Sequence, residues 1–113
     1  MTNQHQLQLD RVFHALGDPT RRAVVRRLGQ GPASVGELAR PHKMALPSFM
    51  QHLAALEKCG LVRSRKVGRV RTYRLQPKPL KAAEKWMVEQ RALWERRLDR
   101  LDDYLLQMKE SET

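Results

Sequence analysis

The chain alternates between segments whose apolar residues recur every three or four positions and short breaks rich in glycine and proline. That spacing predicts α-helices, because residues three and four apart share one face of a helix. After the fourth such segment the pattern changes to valine, threonine and tyrosine around a glycine, which predicts two short strands and a turn. The predicted elements are helices at Leu7–Leu16 and Pro19–Leu28, a short helix between Ser34 and Pro41, a helix at Pro47–Cys59, strands at about Leu61–Lys66 and Arg69–Leu75 joined at Val67-Gly68, and a long helix at about Leu80–Met108.

Capping signals support these helix ends. Asp18 and Pro19 are the expected N-cap and first residue of the second helix. Ser34 and Glu37 have the S-x-x-E spacing of a capping box, which opens the third helix. Gly60 is the expected C-cap of the fourth helix.

The order of the predicted elements indicates a fold class. Two short helices joined by a tight turn and followed by a β-hairpin are typical of a winged helix-turn-helix. We therefore expect a mainly α protein with one small hairpin, in the order of four helices, two strands and one long helix. We expect a single domain over residues 1–113, with the winged-helix core at 7–79 and a dimerisation helix at 80–108.

The net charge of the chain indicates a class of binding partner. Lys and Arg number 22 against 12 Asp and Glu, so the formal net charge is +10. Such an excess favours a polyanion partner such as DNA, RNA or an anionic membrane, although a merely soluble basic surface is the alternative. No apolar run is long enough to span a membrane, and the first ten residues lack the features of a signal peptide, so we expect a cytoplasmic protein.

The predicted fourth helix, here called the recognition helix, has one apolar and one polar face. Phe49, Leu53 and Leu56 fall together on the inner side. The opposite side carries short hydrogen-bonding groups where a face selected only for solubility would carry Lys and Glu. These suit base edges in the major groove, although an ordinary polar face is the alternative, and His52 by itself could also be a surface residue or a metal ligand. The candidate base-contacting residues are Pro47, Ser48, Met50, Gln51 and His52.

The predicted hairpin, here called the wing, concentrates positive charge. The twelve residues from Ser64 to Leu75 contain four arginines, one lysine and no acidic residue. Repulsion among them would be relieved on contact with phosphates, with release of counterions. A charged edge strand that prevents aggregation is the alternative, but it explains only one or two such residues. The candidate DNA-contacting residues of the wing are Arg63, Arg65, Lys66, Arg69 and Arg71.

The last helix is too long for one small domain to cover. A helix of about 28 residues extends roughly 42 Å, and Trp86 and Trp94 add large apolar area. We expect this helix and the first helix to pack against their mates in a homodimer, although the tryptophans could instead belong to the core of one chain. The candidate interface residues are Leu9, Phe13, Leu16, Trp86, Met87, Trp94, Leu98, Leu101 and Leu105.

Four stretches together resemble the ArsR/SmtB family of bacterial winged-helix repressors: FHALGDPTRRAVVRRL, ASVGELA, LPSFMQHLAALEKCGLV and GRVRTYRL. The resemblance covers roughly residues 9–80. It implies a homodimer that binds an inverted-repeat operator and represses transcription until a signal arrives. It also implies that the recognition helix starts at Pro47, that Ser48, Gln51 and His52 face the bases, and that Arg69 and Arg71 are the wing positions after Gly68.

Some family features are missing from this chain. The third helix lacks cysteine, and no histidine follows Leu80, so the known metal-sensing arrangements are not expected and no metal or cofactor is predicted. Met50 stands where relatives often carry a small hydroxyl residue. The single cysteine, Cys59, excludes a disulfide within the chain, and we expect it to be a small buried side chain.

These features predict a sequence-specific DNA-binding regulator, acting as a homodimeric repressor on double-stranded DNA. The alternatives are a nonspecific nucleic-acid-coating protein, a protein-interaction module that has lost DNA binding, and a regulator controlled by a partner protein or by redox chemistry at Cys59. No grouping of nucleophile, base and acid and no glycine-rich phosphate loop is present, so an enzyme is not expected. The operator, the regulated genes and any small-molecule inducer are left open.

Overall fold

The computed structural model describes residues 3–112 and forms helices around a small sheet in that range. The predicted order of helices and hairpin is confirmed, with one additional short strand. The elements are α1 (Gln4–Leu16), α2 (Pro19–Leu28), β1 (Ala33–Ser34), α3 (Val35–Ala39), α4 (Leu46–Lys58), β2 (Val62–Val67), β3 (Val70–Leu75) and α5 (Pro77–Ser111).

The outer helices are longer than predicted. α1 begins at Gln4, because the side chain of Asn3 caps it and accepts a hydrogen bond from the His5 N–H at 2.9 Å. α5 begins at Pro77, because proline fits the first turn of a helix, where its missing N–H has no partner to lose. Pro77 and Pro79, which precede the predicted start at Leu80, therefore belong to its first turn.

The predicted caps of α2 and α3 are confirmed. Asp18 Oδ2 accepts a hydrogen bond from the Arg21 N–H at 3.0 Å. Ser34 Oγ accepts from the Glu37 N–H at 3.2 Å, and Glu37 Oε1 accepts from the Ser34 N–H at 3.4 Å, which completes the capping box. At the end of α4, the C-cap is Cys59, and Gly60 follows it with a φ of +83°. That left-handed conformation is why glycine stands there.

The sheet has three antiparallel strands in the order β1-β3-β2. The additional strand β1 pairs with β3, with Ala33 opposite Tyr73 and Ser34 opposite Thr72. A strand of two residues has no periodicity that could reveal it in the sequence. The wing is therefore paired along the edge that faces the start of α3.

The turn of the wing lies one residue later than predicted. Val67 is opposite Val70, so the two loop residues are Gly68 and Arg69. Gly68 has a φ of +64°, and no residue other than glycine has a positive φ in the described part of the chain. A two-residue loop with a positive φ only at its first position is a type II′ turn, whose twist matches that of the strands.

The chain divides into two compact units, one up to Ala83 and the other from Glu84 onward. The first unit holds the hydrophobic core, to which α1, α2, α4 and the sheet all contribute. Each large side chain buried there contributes about 1.5–3 kcal/mol. The second unit is the remainder of α5. The most completely buried large side chains of the core are Val12, Val24, Phe49, Leu53, Leu56, Leu61 and Val62.

Candidate nucleic-acid interface

The inner face of α4 fixes the orientation of the recognition helix. Phe49, Leu53 and Leu56 are each at most 1% exposed, as the helical spacing predicts. The ring of His42 also stacks on Phe49, with 5.4 Å between the ring centroids. Because this face is locked into the core, the opposite face must point to solvent.

The outward face of α4 presents short side chains. Pro47, Ser48 and Gln51 are exposed, as expected for base-contacting residues. Ala54, which the sequence interpretation missed, is exposed as well, and a methyl group there suits close approach to a base or to the methyl group of thymine. Met50 is half-buried and packs against the core, so it has less surface to offer to DNA.

His52 is half-buried at the edge of this outward face. Its Nδ1 atom lies 3.3 Å from Arg21 Nη1 and 3.6 Å from Asp18 Oδ2. Arg21 lies in the first turn of α2, and Asp18 is the N-cap of that helix. The recognition helix is thus joined to α2 by a polar cluster that the sequence pattern did not reveal. The hydrogen bond from the Arg21 N–H holds the pKa of Asp18 below its ordinary value, against the opposing effect of burial, and the charge of the Arg21 guanidinium group lowers it further.

Two arginines of α2 bind the end of α1. Arg21 donates through Nε to the Ala15 carbonyl at 2.8 Å and through Nη2 to the His14 carbonyl at 3.2 Å. Arg22 donates to the Leu16 carbonyl at 2.8 Å. These carbonyls end α1, where a helix leaves its acceptors unpaired and where positive charge is favourable. Part of the positive charge therefore stabilises the fold.

The wing places like charges directly opposite each other. All five predicted DNA-contacting residues of the wing are exposed. Lys66 stands opposite Arg71, and Arg63 stands opposite Arg74. Like charges at opposing positions destabilise an antiparallel pair. Repulsion between these side chains therefore destabilises the hairpin. An anionic partner bound to the wing would reduce that repulsion.

One arginine of the wing is connected to the recognition helix. Ser64 Oγ donates to Glu57 Oε1 at 2.9 Å and accepts from Arg71 Nη1 at 2.8 Å. Tyr73, the partner of Ser64 in the strand register, is buried beside them. Burial raises the pKa of Tyr73, and the negative charge of Glu57 adds to that effect. The last turn of α4 and both strands of the wing thus meet at the hydroxyl of Ser64.

Cys59 lies in the joint between α4 and the wing. Its side chain is buried, and Sγ donates to the Leu56 carbonyl at 3.3 Å. Burial raises the pKa of the thiol, which disfavours the reactive thiolate form. This environment fits the predicted structural role better than the alternative of redox control.

The predicted interface residues fall into two groups. Leu9 is 8% exposed and lies in the core of its own chain, so it has little surface left for a partner. Phe13 and Leu16 are half-buried against the same core. In α5, by contrast, large apolar side chains are between 44% and 62% exposed. From Met87 to Met108 they follow the alternating four- and three-residue spacing of a coiled-coil seam, interrupted once by Arg91. The exposed residues of this prediction are Trp86, Met87, Trp94, Leu98, Leu101 and Leu105.

Neither a metal cluster nor a membrane-spanning segment is found in the part of the chain that the structure describes. Within residues 3–112, no three side chains among His, Cys, Asp and Glu converge as metal ligands would. No helix in the same range is both long and apolar enough to cross a bilayer.

Comparison with known proteins agrees with this geometry. The family model described as a helix-turn-helix domain matches residues 16–65. The HTH-type transcriptional regulator Rv2034 of Mycobacterium tuberculosis is 48% identical over 73 residues, which cover 65% of this chain and 68% of that protein.

Solved structures extend the similarity to more than four fifths of the chain. The crystal structure of the ArsR family transcriptional regulator RHA00566 superposes with a TM-score of 0.77 at 53% identity, covering 83% of this chain and 97% of that one. The homodimeric winged helix-turn-helix DNA-binding domain Mb0332 of Mycobacterium bovis gives a TM-score of 0.60 at 26% identity, covering 84% and 90%. This chain therefore belongs to the ArsR family of winged helix-turn-helix transcriptional regulators.

Proposed function

We propose that this protein is a homodimeric repressor that binds an inverted-repeat operator in double-stranded DNA, without catalytic activity. α4 lies in the major groove, and the wing contacts the sugar–phosphate backbone beside it. The observation that carries the proposal is the outward face of α4, which is exposed, short and nearly uncharged, next to a hairpin crowded with arginine. A face of that kind reads bases, while the hairpin supplies the affinity.

The two surfaces have different chemistry toward DNA. Gln51 can pair with adenine through both groups of its amide, and Ser48 can donate to or accept from several base edges. The wing arginines suit phosphates or a narrow minor groove, and the counterions that they displace provide much of the binding free energy. Specificity is therefore assigned to α4 and sequence-independent affinity to the wing.

The exposed apolar side of α5 supports the dimer. Its seam spacing is that of helices that pair with one another, and the similar domain Mb0332 is homodimeric. Two-fold pairing would present two recognition helices about 34–36 Å apart, one turn of DNA. An operator with two symmetric half-sites at that spacing follows from the symmetry.

The test separates this function from nonspecific coating of nucleic acid. Genomic fragments that bind the protein are selected, and their binding is then challenged with excess random DNA. A repressor stays on its selected site, whereas a coating protein is removed in proportion to the competitor. Loss of all preference under competition would overturn the proposal.

Substitutions in α4 test whether this helix contributes to sequence specificity. Gln51→Ala should weaken binding to the selected site by about 1–3 kcal/mol, the value of one bidentate base contact, and should change binding to random DNA little. Lys58→Ala, which removes an exposed charge at the end of the same helix, is the matched control and should weaken both alike. An equal loss on both kinds of DNA for Gln51→Ala would contradict base reading by Gln51.

A further inference from the structure

We propose that Arg21 fixes the tautomer of His52, so that the imidazole ring presents only a hydrogen-bond donor to DNA and contacts the acceptor edge of a guanine. This inference rests on the proposed function, because it requires α4 to lie in the major groove. Arg21 would position His52 without itself touching the base. The base that His52 contacts would be one that presents hydrogen-bond acceptors in the major groove.

A hydrogen bond joins the side chains of Arg21 and His52. Arg21 Nη1 lies 3.3 Å from His52 Nδ1. A guanidinium group carries only donors and keeps its proton at any physiological pH, so Nδ1 must be the acceptor. A neutral imidazole ring that accepts at one nitrogen carries its proton on the other. His52 is therefore the Nε2–H tautomer.

Asp18 is the competing partner of the same nitrogen. Its Oδ2 atom lies 3.6 Å from Nδ1 and would pair with it only if Nδ1 carried a proton, as in the other neutral tautomer or in the doubly protonated ring. That oxygen already accepts from the Arg21 N–H at 3.0 Å, which is the shorter contact. A protonated ring would also face the guanidinium group at 3.3 Å. The shorter of the two contacts to Nδ1 is the one to Arg21, so the geometry directs the lone pair of Nδ1 toward Arg21.

Arg21 is itself held in place. Nε and Nη2 donate to the carbonyls of Ala15 and His14 at the end of α1. A guanidinium group that is bound at three nitrogens has little freedom to turn away from His52. The tautomer is therefore set by the junction of α1 and α2 and does not depend on the DNA.

The protonated nitrogen of His52 reaches solvent. The contacts of the His52 side chain all involve Nδ1. Among residues 3–112, no buried side-chain nitrogen or oxygen is without a hydrogen-bond partner. Nε2 must therefore be accessible, consistent with the 22% exposure of the side chain. A single N–H donor at the edge of the recognition helix fits guanine best, because N7 and O6 are both acceptors. Adenine and thymine each offer one acceptor in the major groove, and cytosine offers only a donor.

The tautomer is tested on the free protein by NMR, through the ¹⁵N shifts of the His52 ring near neutral pH. The expected pattern is that of a ring protonated at Nε2 alone. Arg21→Lys, which cannot keep all three hydrogen bonds, should shift the pattern toward a mixture of tautomers. Arg22→Lys is the matched control, because Arg22 also caps α1 but has no hydrogen bond to His52. A ring protonated at Nδ1, or doubly protonated, in the unchanged protein would overturn the inference.

The base assignment is tested with modified operators. In a selected half-site, each guanine is replaced in turn by 7-deazaguanine, which lacks N7, and by 2-aminopurine, which lacks O6. One replacement should weaken binding about fivefold, the value of one hydrogen bond, and should have no further effect in His52→Ala. Additive effects at every guanine would refute the contact. If no site survives competition, the proposed function fails, whereas a stable site with additive effects removes only this inference.

Discussion

Arg71 and Ser64 are diagonal neighbours on the two strands of the wing, and the guanidinium group donates to the serine hydroxyl at 2.8 Å. The same hydroxyl donates to Glu57 in the last turn of α4. Since a serine hydroxyl has one proton and accepting lone pairs, it can serve both partners at once. The orientation of a wing arginine is thereby linked to the end of the recognition helix.

Removing the hydroxyl should affect the orientation of Arg71 but not its charge. Ser64→Ala is expected to weaken operator binding about two- to fivefold, because one orienting hydrogen bond is lost, with no change in the salt dependence. Arg71→Gln should instead reduce the slope of log affinity against log salt by about one per protomer. Binding titrations at several salt concentrations measure both. Ser111→Ala, whose hydroxyl donates to Met108 within α5, is the control and should have no effect.

Reversing charge in the wing should weaken binding to every DNA sequence. The double substitution Arg69→Glu with Arg71→Glu would remove the two phosphate contacts proposed for each protomer, so the slope of log affinity against log salt should fall by about two per protomer. Arg96→Glu with Arg97→Glu makes the same change in net charge on exposed positions of α5 and should leave the slope largely intact. If the wing variant bound with the original affinity and slope, the wing would have no role in binding.

Trp94→Asp should convert the protein to a monomer. Trp94 is 62% exposed, and a carboxylate there would have to be desolvated at a paired helix surface. Analytical ultracentrifugation at low micromolar concentration measures the change. Arg96→Asp lies on the same helix outside the apolar seam and should keep the dimer. A persistent dimer of Trp94→Asp would place the interface elsewhere.

Asp18 should contribute stability that depends on pH. Its pKa is lowered in the folded state from the ordinary value of 3.8, so its contribution is complete above that value and is lost as the pH falls through the lower, folded-state pKa. Asp18→Asn keeps a capping oxygen but does not titrate. Urea unfolding should therefore show a stability difference between the two proteins at neutral pH that disappears in acid.

A second substitution at this position separates charge from capping. Asp18→Ala also removes the capping oxygen and should cost about 0.5–2 kcal/mol. Unlike the effect of charge, this loss should persist in acid. A difference between the unchanged protein and Asp18→Asn that did not vary with pH would contradict the assigned pKa shift.

Local signals in the sequence predicted much of the fold. The cap at Asp18, the capping box at Ser34 and the inner stripe of α4 each depend on residues within one or two helical turns, and the structure has all of them. The stripe alone determines which side of α4 faces solvent. For this reason the exposed positions of Ser48 and Gln51 could be predicted before any tertiary contact was known.

Features that depend on distant contacts could not be predicted in this way. β1 is defined only by its pairing with β3, about forty residues later, and two residues carry no pattern of their own. The roles of Arg21 and Arg22 depend on where the carbonyls of α1 come to lie. Leu9 shows the same limit, because helical spacing identifies an apolar face but not whether the same chain or a partner covers it.

Ser34 belongs to two structures at once, since it caps α3 and also pairs with Thr72 of the wing. Its backbone position is therefore shared by the first helix of the helix-turn-helix and by the basic hairpin. An effector that displaced the hairpin would strain the start of α3 in the same movement. The wing and the helix-turn-helix would then change position together, so that one movement would alter both of the surfaces proposed to contact DNA.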